Sequence, residues 1–414
     1  MNFASSCGLR VLLGFSSLLG TGIAQTKTPV VLFPGWPGTK LLVTVQNQSA
    51  VPGCPESGTF EYMFFIGSQT ETTGFSHVCQ DKLMTLVYNR WPSLPMSQRF
   101  SDQPGVTVTI EDYGMTESAP NYKPLYEGLE KAGWDRKTNI RVAGNDTRLS
   151  PDIGNFLPRT IALIEETYYK NEKTPVHLVA HSAGGLYAQY LLTHTSQAWK
   201  NQYIHGFTAL AGAWPGQGST YSLLFTGFNS NEGVFPADTE NARSSALMYQ
   251  SHPSIYLQAA DPAVFKNDEV VIQAGSATYT PQDYRKLFRD AGMALAEELG
   301  PYYIGFVRFQ QPPFFPNVDV YAEKGSGQDT VVGMGFPSLG VGQLVDATTQ
   351  FFTRPGDGNQ EDITNDSIQV WAKMNCFRFE LTDNPGVYHF NLPFDPGVLR
   401  RLVTNLQLKR SVCR

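Results

Sequence analysis

The sequence predicts an α/β fold, a mostly parallel central sheet flanked by helices, and three observations carry that expectation. Around Ser182, the stretch Thr174-Pro-Val-His-Leu-Val-Ala-His-Ser-Ala-Gly-Gly-Leu-Tyr-Ala-Gln189 reads as a short apolar strand, a sharp turn and a helix. Val176, Leu178 and Val179 precede the turn, and Leu186, Tyr187, Tyr190 and Leu191 recur at helical spacing after it. Candidate acids and a candidate base follow Ser182 in the order that a serine on such a turn requires. With 41% hydrophobic and 16% charged residues, the chain has ample material for one large core.

The turn has the form of a nucleophile elbow. A serine hydroxyl is a poor nucleophile at neutral pH, so it needs a strained exposed turn, a base, and a backbone N–H near the developing oxyanion. Small residues two before and two after the serine let the turn close. The pattern Gly-x-Ser-x-Gly is here Ala180-His181-Ser182-Ala183-Gly184, with alanine, the smallest substitute, at its first position.

In an α/β-hydrolase fold the acid and then the histidine lie C-terminal to the serine. His77 and His177 precede Ser182, His181 sits in the elbow with its side chain expected to turn away, His194 and His205 follow too closely, and His252 precedes any late acidic loop. His389 remains, in Asn384-Pro-Gly-Val-Tyr-His-Phe-Asn-Leu-Pro393, ahead of a helical pattern from Val398 to Val403. For the acid, the loop Arg354-Pro-Gly-Asp-Gly-Asn-Gln-Glu-Asp-Ile-Thr364 offers Asp357 and Asp362. Asp357 is preferred because Gly356 and Gly358 let a turn aim it inward, whereas Asp362 opens a helical stretch to Trp371 as its expected N-cap. Asp362 stays open as the alternative.

Further segments carry a resemblance. Pro29-Val-Val-Leu-Phe-Pro-Gly-Trp-Pro-Gly-Thr-Lys-Leu41, Asn145-Asp-Thr-Arg-Leu149, Gln197-Ala-Trp-Lys200, Gly206-Phe207, Ala211-Gly-Ala-Trp-Pro-Gly216 and His389-Phe-Asn-Leu392 stand in this order along the chain. Through them it resembles the lecithin:cholesterol acyltransferase and lysosomal (group XV) phospholipase A2 family, from about Pro29 to Val403. The interval from Asp357 to Trp371 (371 − 357 = 14) is similar to that family's acid-to-tryptophan interval, a further reason to prefer Asp357. Departures fall at Ala180, Asn145, Thr147, Asn359 and Gln360. The resemblance implies a hydrolase core with a disulfide-closed membrane-binding insertion at about 45–90 and a lid at about 217–250. The oxyanion donors are expected to be the backbone N–H groups of Ala183 and, by position after the first strand, Trp36.

Taken from the start, residues 1–24 read as a secretory signal: Arg10 is the one charge, the apolar run is too short to span a bilayer, and Gly22-Ile-Ala24 offers small residues for cleavage. The mature unit, 25–414, is expected to be exported, either secreted or lumenal in a vacuolar or lysosomal compartment. Loss of Arg10 moves the formal charge from −6 to −7, which argues against a nucleic-acid partner or polybasic anchoring. Three sequons, at Asn47, Asn145 and Asn365, suit an exported chain. Cys54, Cys79, Cys376 and Cys413 follow the signal and allow three pairings; the resemblance favours Cys54–Cys79 and leaves Cys376–Cys413 by default. No Cys-x-x-Cys spacing exists, so no metal is expected, and no cofactor is implied.

Among the remaining stretches, Phe60-Glu-Tyr-Met-Phe-Phe-Ile66 reads either as a strand burying Tyr62, Phe64 and Ile66 or as a flap laying aromatics on lipid. Strands are expected at Val106–Ile110, Ile140–Val142 and about Asn317–Tyr321, and helices at Tyr122–Gly133 and within Tyr279–Leu299. Asp146 and Arg148 are placed to pair. Phe225 to Phe235 mixes glycines with aromatics that look exposed, at the expected lid. The function expected is acyl transfer from a glycerophospholipid, at a membrane or lipoprotein-like surface, through an ester on Ser182 to a lipid alcohol such as a sterol or ceramide, or to water. The competing expectation is a catalytically impaired lipid-binding protein on the same scaffold.

Overall fold

The computed structural model describes residues 27–62, 74–228 and 238–413. The expected signal, residues 1–24, lies outside them, as do Phe64, Ile66 and much of the Phe225–Phe235 stretch. The central sheet has six strands in the order Phe379–Pro385, Val320–Ser326, Ile204–Leu210, Val176–His181, Val30–Phe33 and Ile140–Val142. Every neighbouring pair is parallel. The strands at its centre read VVLF and VHLVAH and are buried along their whole length, as a parallel sheet covered on both faces demands.

Alternation along the strands sorts the two faces. Val31, Phe33, Leu178 and Ala180 pack with Leu163, Ile164 and Leu191 of helices Phe156–Lys170 and Gly184–Thr193. Val30, Leu32 and Val179 pack instead with Leu125, Leu129, Val398 and Leu402 of helices Lys123–Lys131 and Pro396–Asn405. In chain order the strands run outward in both directions from between Val30–Phe33 and Val176–His181, so the sheet's switch point lies there. Ligands of open α/β sheets bind beyond the carboxyl ends of the strands at that point, and Ser182 follows the second of these two strands directly.

Two of the three smaller sheets pack into one further hydrophobic cluster. Leu41–Val45 pairs antiparallel with both Gly58–Tyr62 and Val106–Ile110. Phe60 and Tyr62 point inward and are buried, so the described part of that stretch is a core strand. The other sheet is an excursion from the central one. After Val320–Ser326 the chain makes the hairpin Gln328–Phe336 and Gln350–Gly356, then returns to the strand it left. At Gly325 a side-chain Cβ would lie 3.0 Å from that of Asp357. The excursion thus delivers Asp357 to the carboxyl end of a central strand.

Disulfides join Cys54 to Cys79 and Cys376 to Cys413. The first ties the chain at Cys54 into helix His77–Met84, which packs on helix Thr239–Gln250; there Ser245 Oγ donates to Asp81 at 2.7 Å.

Several expectations need correction. The expected helix within Tyr279–Leu299 is two helices, Tyr284–Asp290 and Ala294–Tyr303, and the strand expected from Asn317 begins at Val320. Phe225 and Phe228 are buried, because helix Ser219–Thr226 is enclosed on all sides. Glu361, not Asp362, occupies the N-cap position, and the helix that follows ends at Asp366 before a 3₁₀ turn over Ser367–Lys373. The sequons at Asn145 and Asn365 fall on residues only 6% and 2% exposed, so neither stands at the surface as a glycan acceptor would. Asn47 is exposed. Among the described residues no helix is long and apolar enough to cross a membrane, and no cluster of ligating side chains could hold a metal ion.

Candidate active site

Ser182 stands between strand Val176–His181 and helix Gly184–Thr193 with φ +54°, a backbone state that costs an L-residue about 1–2 kcal/mol. The turn is pinned by Ser182 N–H donating to the Leu210 carbonyl (2.9 Å) and by the Ser182 carbonyl accepting from Gly185 and Ala213. Only glycine fits at 184, where a Cβ would lie 2.2 Å from the Phe33 carbonyl oxygen. Ala180, at the other small position, fits fully buried at the strand's end, so the departure there leaves the turn intact.

His389 and Asp357 meet across 2.9 Å, Nδ1 to Oδ2, both essentially without exposure. The His389 backbone N–H also donates to the Asp357 carbonyl at 2.8 Å. Asp357 Oδ1 accepts from the N–H groups of Asn359 (3.0 Å) and Gln360 (2.7 Å). The departures at Asn359 and Gln360 therefore leave this support standing, since it comes from backbone. Burial alone would raise the Asp357 carboxyl, but facing His389 and these bonds holds it below the usual carboxylate range. Asp362 lies elsewhere, half exposed and 3.8 Å from Lys324. His389 Nε2 is buried and makes no hydrogen bond among the described residues.

Ser182 opens on a small cavity of about 20 Å³ shared with Trp36, Gln217, Thr220, Leu223, Gln258 and Asn359. The Trp36 ring is held edge-on against Tyr249, with centroids 5.5 Å apart. The expected pair forms: Arg148 Nε and a terminal nitrogen donate to Asp146 at 3.0 and 2.7 Å, and the same guanidinium reaches Asp102 at 2.7 Å.

Sequence reasoning missed two contributors. His181 does not leave the site; its ring lies 4.8 Å from that of His389 and its Nε2 is 3.1 Å from the His389 carbonyl. Tyr122 Oη meets His181 Nδ1 at 2.8 Å. The histidine in the elbow was the available signal, since a polar ring before the nucleophile must find partners once buried; nothing local marked Tyr122.

Glu361, fully buried, accepts from Gly218 N–H at 2.9 Å, and burial pushes its carboxyl up to about 7 from an ordinary 4.5. Between those values the folded protein holds a proton that the unfolded chain releases, so stability falls as pH rises through the window. Glu361→Gln keeps an acceptor for Gly218 and removes the charge. It is expected to match the wild type at pH 4.5 and to exceed it by roughly 3 kcal/mol at pH 8, read from urea unfolding at both pH values.

The parallel sheet, the left-handed serine at its switch point and the buried aspartate-histidine pair define an α/β-hydrolase fold. A chain of the Tle4–Tli4 complex shares that fold with a TM-score of 0.52 at 11% identity, over 92% of this chain and 99% of that one. The lecithin:cholesterol acyltransferase family model matches residues 73–302, more than half of the chain, and the protein belongs to that family. It is 27% identical over 390 residues to the lysosomal phospholipase A and acyltransferase of Mus musculus, covering 89% of this chain and 88% of that protein. It is also 27% identical over 388 residues to the phosphatidylcholine-sterol acyltransferase of Gallus gallus, again covering 89% and 88%. The protein is an acyltransferase and phospholipase-type serine hydrolase of this family.

Proposed function

We propose that Ser182, His389 and Asp357 form a catalytic triad that takes an acyl group from a glycerophospholipid and passes it to a lipid alcohol or to water. The observation that carries the reading is the left-handed Ser182 at the mouth of a cavity beside a buried His389–Asp357 pair whose outer nitrogen makes no hydrogen bond among the described residues. Ser182 Oγ attacks the ester carbonyl while His389 Nε2 takes its proton; the tetrahedral oxyanion accepts from the N–H groups of Ala183 and Trp36. Collapse expels the lysolipid alkoxide, which takes the proton back from His389 and leaves an acyl ester on Ser182. An acceptor hydroxyl or water then gives its proton to His389 and attacks that ester, and collapse breaks the acyl bond to Ser182 Oγ, which takes the proton from His389.

Helix Ser219–Thr226 roofs the cavity through Ser219, Thr220 and Leu223. Ligand pockets ordinarily offer about 300 Å³ or more. The space beside Ser182 is far smaller, so the site has to widen before it admits an acyl chain. That supports a lid within 217–250 and activity that rises at a phospholipid surface. The signal-like residues 1–24 and the lysosomal name of one relative support an exported, lumenal or secreted protein.

The test is a paired assay on phosphatidylcholine vesicles with and without a sterol or ceramide, reading free fatty acid and acylated acceptor together. Fatty acid alone identifies a phospholipase and acylated acceptor a transferase. Neither product from folded protein at vesicle surfaces would sink the reading.

A further inference from the structure

We infer that Tyr122 and His181 form a one-directional hydrogen-bond relay that holds the oxyanion loop, the nucleophile elbow and the base loop in register, and that both are positioning residues for acyl transfer. The inference rests on the triad reading above.

The direction follows from the atoms. His181 Nε2 meets the His389 carbonyl, which only accepts, so Nε2 carries the hydrogen. Burial, foremost, and the neighbouring His389 hold His181 down at about 3, so the ring is neutral and its Nδ1 is an acceptor. Tyr122 Oη must then donate to Nδ1, leaving its oxygen to accept the Gly35 N–H at 2.8 Å. Gly35, Tyr122, His181 and His389 are thereby joined with every proton assigned.

Each end of the relay lands on backbone of a loop that the reaction needs. Gly35 immediately precedes Trp36 and lies against the nucleophile, since a Cβ there would come within 2.9 Å of Ser182 Cβ. The other end is the carbonyl of the base itself, and the middle of the relay is the residue before the nucleophile. A buried tyrosine and histidine satisfying each other would be ordinary core. Here neither spends its outer bond on the core: one holds the donor loop and the other the base loop. The Tyr122 ring is set by edge contacts with His181 and Phe394, at 5.7 and 6.3 Å between centroids. Misplacing a reacting group by about 1 Å costs as much as 100-fold in rate, which is the scale a broken relay reaches.

The experiment compares wild type, Tyr122→Phe, His181→Phe, the double variant and Ser182→Ala on phosphatidylcholine vesicles, with melting temperature and fluorophosphonate labelling alongside. Tyr122→Phe and His181→Phe keep an aromatic ring in place and remove the bonds. Each is expected to lower kcat about 10- to 100-fold with KM within twofold, and the double variant to be no worse than the poorer single, since the relay acts as a unit. Single variants with kcat within twofold of wild type, or losses that multiply in the double variant, overturn the relay. Should both variants unfold, selective 15N labelling of histidine in the wild type decides: His181 protonated on Nε2 with a hydrogen-bonded Nδ1 supports the relay, and the other tautomer overturns it. An active Ser182→Ala refutes the triad instead, while an inactive one beside unimpaired relay variants refutes the relay alone.

Discussion

Ser182→Ala is expected to reduce turnover by about 10⁶-fold and to abolish fluorophosphonate labelling while leaving the unfolding free energy within about 0.5 kcal/mol of wild type. In the proposed mechanism the activity loss follows from removing the atom that would form the acyl bond. The unchanged stability follows from the turn, whose bonds to Leu210, Gly185 and Ala213 are all backbone. A companion variant sharpens the argument. Ser182 holds φ +54°, which alanine retains and glycine adopts without penalty. Ser182→Gly should therefore be as inactive as Ser182→Ala but more stable by up to about 1 kcal/mol, measured by urea unfolding. A stabilised, inactive glycine variant would show that the strain is maintained for chemistry. A glycine variant less stable than alanine would place the strain elsewhere.

How far the sequence announced this site depends on whether a feature is local. The elbow is local: its strand, turn and helix are contiguous, and Gly184 is required by a neighbour only one strand away, at Phe33. The continuous apolar runs of Val30–Phe33 and Val176–Ala180, which mark strands buried on both faces, are legible for the same reason. The hairpin between Ser326 and Asp357 hides in the sequence because it changes sheets, and only the packing of Gly325 against Asp357 shows where the chain returns. Tyr122 and His181 lie 59 residues apart, and no periodicity connects a hydroxyl ahead of helix Lys123–Lys131 to a ring at the end of strand Val176–His181. The sequons at Asn145 and Asn365 fail for a related reason: three residues define the motif, but burial is set by elements far along the chain. Phe225 and Phe228 mislead in the opposite sense, since glycines beside aromatics suggest a surface loop where helix Ser219–Thr226 is enclosed.

Asp357→Asn is expected to lower kcat about 10⁴-fold, whereas Asp362→Asn stays within a few-fold of wild type. The asymmetry is geometric. Asp357 Oδ1 already accepts two backbone N–H groups, at 3.0 and 2.7 Å, so an asparagine must keep its oxygen there and turn its NH₂ toward His389. An NH₂ facing Nδ1 forces that nitrogen to accept, and the imidazole proton moves to Nε2, where it blocks removal of the Ser182 proton. Asp362, against Lys324 and partly exposed, has no bond to the histidine to lose. The same variant carries a signature in stability. His389 and the two N–H groups hold the Asp357 carboxyl below its ordinary 3.8 despite burial, so its stabilisation is present above about pH 4 and is lost as pH falls through the folded value. The stability gap between wild type and Asp357→Asn should therefore be largest near neutrality and shrink on acidification below about pH 4, read from urea midpoints across that range. A gap that widens on acidification, or an Asp362→Asn variant as slow as Asp357→Asn, would move the acid of the triad away from Asp357.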